Sequence, residues 1–140
     1  MRIAILAAVL AVTPLAGVRA QIAPANGPAP SEKEQRSVAA QKIDSQLLYA
    51  LYARRGESAA RGTPTETTVE VDAGGRTLID VRAEVTPELE KQVRDLGGTI
   101  VSTSKTHRSI LARFPLEKLE ELASRQDVRF VQPAARAVTN

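Results

Sequence analysis

Cysteine and tryptophan are absent from this 140-residue sequence, and histidine occurs once, at His107. Without cysteine there can be no disulfide, no lipid-attachment cysteine and no Cys-x-x-Cys metal carrier. A single histidine with no cysteine also removes the usual zinc ligand sets. Aromatic residues make up 3% of the chain, as Tyr49, Tyr52, Phe114 and Phe130. That is too few to build a platform on which RNA bases stack. No glycine-rich phosphate loop is present. Gly74-Gly75 and Gly97-Gly98 are pairs suited to a turn and a helix end. His107 falls in an expected hairpin turn beside Lys105 and Arg108, and a Ser104–His107–Asp set on such a turn would not be preorganised. The sequence therefore predicts no enzyme, no cofactor, no metal and no nucleic-acid partner.

Charge of one sign is scarce as well. The formal net charge is +3. It falls by two, to +1, if Arg2 and Arg19 leave with the first twenty residues, which hold no acid. Those residues, MRIAILAAVLAVTPLAGVRA, carry a basic start, a short apolar run, Pro14, and Val18 and Ala20 at the −3 and −1 positions of a cleavage site. This is the pattern of a signal peptide over residues 1–20, and it predicts a secreted or periplasmic protein with mature start Gln21. No later stretch is apolar enough to span a membrane, so none is expected to hold the chain there after cleavage.

What is present is periodicity. Residues 21–39 are rich in Pro, Ala and Gly and read as a flexible linker. Residues 40–55 place Ile43, Leu47, Leu48 and Leu51 near helical spacing and predict a separate amphipathic helix, stopped at Gly56. A second linker covers residues 56–66, and a domain covers 67–136, followed by a tail at 137–140. Residues 68–72 and 77–85 alternate apolar and polar around Gly74-Gly75, which predicts a hairpin. Thr86-Pro87 opens a helix with the stripe Leu89, Val93 and Leu96. A strand follows over residues 99–104, then one over 109–114. Pro115 opens a second helix with Leu116, Leu119 and Leu122 on one side. A last strand over residues 128–132 is expected to turn Val128 and Phe130 inward.

The order is β-α-β twice, with a tight turn between the halves. Two such units interleave into an antiparallel sheet with both helices on one face, an α+β, ferredoxin-like split βαβ fold. The other face is then open. It carries Asp80, Arg82, Glu84, Leu111, Arg113, Arg129 and Val131, and is wetted by solvent or covered by a partner.

The stretches VRAEVTPELEKQVRDLGGTIV and SILARFPLEKLEELASRQDVRFVQPAARA resemble the prodomain that precedes the catalytic domain of some bacterial subtilisin-like serine proteases. The features are a strand leading into TPEL, the LGG helix end, the I-x-A-R-x-P-L strand and the DVRFVQPA exit. KIDSQLLYAL, at residues 42–51, is similar to the helix found upstream in those proteins. The resemblance implies a ferredoxin-like propeptide whose open face sits on two surface helices of a subtilisin-like serine protease. It also implies a C-terminal tail lying product-like in the active-site cleft, so that the module chaperones folding and inhibits. The face residues are then Arg82, Leu111, Arg113, Arg129 and Val131. The tail residues are Pro133, Ala134, Ala135, Arg136, Ala137, Val138, Thr139 and Asn140. The sequence ends at Asn140 with no protease domain within it. This leaves a truncated precursor, an inhibitor acting in trans, and a module that kept the fold and changed partner. Beside these stands a secreted protein-binding or structural module with no protease partner.

Overall fold

A computed structural model describes residues 31–134 of the chain. The signal-peptide segment, the first ten residues of the expected linker and the tail from Ala135 to Asn140 lie outside the described residues. Four strands, β1 (Arg76–Ala83), β2 (Thr99–Ser104), β3 (Ser109–Pro115) and β4 (Val128–Pro133), form one antiparallel sheet in the order β2-β3-β1-β4. The architecture is α+β and is compatible in general terms with a ferredoxin-like fold.

Strand alternation builds the inner face. Thr77, Ile79, Val81 and Ala83 of β1 are buried, and so are Ile110, Ala112 and Phe114 of β3. Helix α4 (Pro87–Asp95) begins where Thr86 Oγ accepts from the Leu89 N–H at 3.2 Å. Leu89 and Val93 are fully buried, and Leu96 packs against the core from its rim. Leu116–Lys118 forms one turn of 3-10 helix that runs into α5 (Leu119–Ala123). Leu116, Leu119 and Leu122 all have 0% exposure, so their spacing of three carries through both helical forms.

Five expectations need correction. The helix over residues 40–55 is two helices, α1 (Val38–Gln41) and α2 (Ser45–Arg55). Between them, the Lys42 carbonyl accepts from the Val131 N–H and the Asp44 N–H donates to the Val131 carbonyl, both at 2.8 Å. Ile43 thus forms a parallel bridge to Val131 and is buried. Breaking the helix satisfies groups that the outer edge of β4 would otherwise leave unpaired. Asp44 then restarts it by accepting from the Gln46 N–H at 2.8 Å.

Nor is that helix separate. Leu47, Leu48, Leu51 and Tyr52 belong to the same buried cluster as the sheet and α4. A short helix is marginal alone in water, and its stripe finds a surface here. Arg55 fastens it to the 3-10 turn and α5 through Glu117 at 2.7 Å and Glu120 at 3.2 Å. The expected linker over residues 56–66 contains a further short helix, α3 (Ser58–Arg61), whose Arg61 lies 4.2 Å over the Tyr52 ring.

Residues 68–72 do not pair as a hairpin strand. β3 pairs with residues 76–82 on one edge of β1, and β4 takes the other edge from Ile79 onward, which leaves a hairpin strand only the first turn of that edge. At the turn, the Asp72 N–H donates to the Arg76 carbonyl at 2.8 Å, and Asp72 Oδ1 accepts from the Arg76 N–H at 2.9 Å.

The last correction concerns β4. Its register against β1 runs Val81 to Val131 and Arg82 to Phe130, then slips so that Ala83 meets Val128. That bulge reverses the alternation. Val131 is therefore fully buried in the core, and Phe130 sits half-buried on the other face, opposite Arg82.

Candidate functional site: the open face of the sheet

The helices cover one side of the sheet. On the other side β1 presents Leu78, Asp80 and Arg82, β3 presents Ser109, Leu111 and Arg113, and β4 presents Phe130 and Gln132. Register pairs Leu78 with Arg113, Asp80 with both Leu111 and Gln132, and Arg82 with Ser109 and Phe130. Residues directly opposed across an antiparallel ladder share a face, so these eight side chains form one continuous surface.

Asp80 lies at its centre. Its carboxylate accepts from the Ser109 hydroxyl and from Gln132 Nε2 at 3.1 Å, and it forms an ion pair with Arg82, whose Nε lies 3.0 Å away. Its side chain is only 16% exposed. Two hydrogen-bond donors and one cation, from three strands, hold the charge, which offsets the cost of withdrawing a carboxylate from water. Leu78, Leu111 and Phe130 are half-buried around it. The surface is thus apolar at intervals with one neutralised acid at its middle. At one end Arg113 reaches Asp72 at 3.9 Å.

The same end receives the chain's exit. The Ala134 N–H donates to the Leu78 carbonyl at 3.0 Å, continuing the β4 ladder one step past Pro133. The next edge group of β1, at Arg76, is occupied by Asp72. A groove of about 430 Å³ opens there, lined by Val69, Val71, Leu78, Arg113, Pro133 and Ala134 among others. Ala134, the last described residue, therefore sits at the Leu78–Arg113 end of the open face.

Of the residues expected on this face, Arg82, Leu111 and Arg113 are brought together. Arg129 is exposed within the bulge and lines a different cleft, at the opposite end of the sheet. Val131 cannot offer its side chain to a partner, because it is in the core. Pro133 and Ala134 are half-buried at the exit, and Ala135 to Asn140 lie outside the described residues. Sequence reading missed Leu78, Phe130, Ser109 and Gln132. The first is visible in the alternation of β1, where it falls in phase with Asp80. Phe130 is not, because the bulge that turns it outward leaves no glycine or proline as a mark.

Chemistry is sparse. His107 is exposed in the β2–β3 turn, where its backbone N–H donates to Ser104 Oγ at 3.2 Å. Among the described residues, no group of three or more His, Asp or Glu is placed to hold a metal ion. None of the described helices is long and apolar enough to cross a membrane. Comparison with family models, with curated proteins and with solved structures finds no match to this chain.

Proposed function

We propose that this chain is a non-catalytic, exported protein-binding module of the subtilisin-propeptide type, which inhibits a subtilisin-like serine protease and assists its folding. The observation that carries the reading is the open face: three half-buried apolar side chains around a saturated Asp80, with the C-terminal tail departing from its rim. Such a surface suits docking. Its apolar patches gain from burial, and its central charge already has partners, so covering it strands no unpaired carboxylate. The strand order β2-β3-β1-β4, with one helical segment after β1 and one after β3, supports the split βαβ topology of that class. In this reading the face seats on the protease surface while residues 134–140 run extended into the cleft and add main-chain hydrogen bonds as an extra strand. Export follows from the signal-peptide pattern of residues 1–20.

The test is to titrate the mature chain, starting at Gln21, into subtilisin-like proteases, first any from the same organism. Stoichiometric, saturable inhibition is the expected outcome. If no protease of this class is inhibited, the chain is a secreted binding or structural module with some other partner.

A further inference from the structure

At the end of the sheet away from the tail, a cleft of about 300 Å³ is lined by Glu84, Val85, Lys105, Arg108 and Arg129. Three separate parts of the fold converge on it. Lys105 and Arg108 lie at either end of the β2–β3 turn, Glu84 and Val85 lead out of β1, and Arg129 stands in the β4 bulge. The cleft has three cations against one carboxylate.

These cations differ from most others in the molecule. Arg36, Arg55, Arg61, Arg82, Arg94 and Arg125 each face a carboxylate within 3.2 Å. Lys105, Arg108 and Arg129 form no ion pair among the described residues, even though Glu84 lines the same cleft. Three cations share this cleft with one carboxylate that pairs with none of them, and an anion seated among them relieves their mutual repulsion.

The backbone adds a second, independent sign. Arg108, at φ +49°, is the only described non-glycine residue with a positive φ. An arginine there carries a strain that glycine or asparagine would avoid. The position is held because the Ala83 N–H donates to the Arg108 carbonyl at 2.9 Å, locking the turn onto the end of β1. The Arg108 N–H also donates to the Lys105 carbonyl at 3.2 Å, so the turn fixes both cations at the mouth of the cleft.

We propose that this cleft binds a tetrahedral oxyanion, of the phosphate or sulfate ester class. Two guanidinium groups supply planar forks that match paired oxygens, and Lys105 supplies a compact third charge. An acidic peptide strand would instead need its cations in a row, and these come from one turn and from the β4 bulge, around one opening. The site is at the other end of the sheet from the tail exit, so it stands whether or not the chain inhibits a protease.

The experiment is a titration of the full mature chain with inorganic phosphate at constant low ionic strength, followed by amide chemical shifts, with chloride as control. The expected result is saturable movement of the Glu84, Lys105, Arg108 and Arg129 amides that chloride does not reproduce. Arg129→Gln and Lys105→Gln, at exposed side chains, should each weaken binding by about tenfold while shifts elsewhere stay in place, since a charge-assisted hydrogen bond is lost. Arg108→Asn keeps a residue tolerant of positive φ and should weaken it comparably. Competition by glycerol phosphate and co-sedimentation with phosphatidic-acid vesicles separate a soluble ester from a lipid headgroup as the source, and saturation by either upholds the site. Shifts that grow linearly without saturating, that chloride reproduces, or that persist in the variants overturn it.

Discussion

Gly98 has no room for even a methyl group. A Cβ built there would lie 2.6 Å from Phe114 Cδ2, 2.7 Å from the Val93 carbonyl oxygen and 2.9 Å from Val93 Cγ1. The backbone oxygen cannot swing aside, so Gly98→Ala must push the end of α4 off β3. A cost of about 1–3 kcal/mol is expected, read as a lower urea midpoint with unchanged slope. Leu119→Ala removes volume from the same core, where Leu119 has 0% exposure, and should cost ~2–5 kcal/mol in the same assay. A loss below about half a kcal/mol would contradict its place there. Leu119 was legible in the sequence, as were Leu89, Val93, Leu116 and Leu122, because helical spacing survives small local changes. Phe130 and Val131 were not. A strand alternates with period two, so one extra residue exchanges inside for outside, and the bulge between Arg82 and Ala83 does that without a residue type that announces it. One of the five face residues read from the sequence was lost to the core in this way.

Elements show the same division between local and long-range causes. The strands β1 to β4 and the caps at Thr86 and Pro87 rest on local pattern, and their existence and order were readable. The break at residues 42–44 rests on a contact with Val131, nearly ninety positions away in sequence, and no local pattern encodes it. Residues 68–72 likewise face an edge of β1 that β4 holds from Ile79 onward, a pairing that no local pattern reveals. The connection around Arg125 illustrates how these distant parts are tied. Arg125 donates to both oxygens of Asp127, at 2.8 and 2.7 Å, and its carbonyl accepts from Lys42 Nζ at 2.8 Å. The hydrogen bond from Arg125 holds the Asp127 carboxyl below its ordinary value of 3.8. A lowered folded-state pKa stabilises fully above the unfolded value and is lost as pH falls through the folded one. Asp127→Asn should therefore be less stable than the parent at neutral pH, by up to about 1 kcal/mol for so accessible a pair. That difference should shrink below pH 3.8 and vanish in stronger acid. Urea midpoints across that range check it, and a constant difference would assign the effect to something other than the charge.

At the scale of the molecule, the two faces of the sheet differ: one is covered by helices and the other is open. The inner face carries the buried cluster, extended by α2 beyond what β1 to β4 and their two crossover helical segments supply. The outer face carries Leu78, Leu111 and Phe130 around Asp80, and releases the tail at its rim. If the module inhibits a subtilisin-like protease, the two contributions should be separable. Removing residues 135–140 takes away the segment proposed to enter the cleft and leaves every described strand in place, so inhibition should weaken sharply with unchanged circular dichroism. Leu111→Asp acts through the face alone. It sets a second carboxylate directly opposite Asp80 and, once covered, leaves it desolvated and without a donor. It should weaken inhibition while the tail remains intact. Because two facing acids also strain the fold, Leu111→Ala is the companion variant. It trims the apolar contact without adding charge, and should lower affinity less than the aspartate does. Urea unfolding of both variants separates lost binding from lost structure. Full inhibition by both the shortened chain and Leu111→Asp, each shown to be folded, would mean that neither the tail nor this face meets the protease.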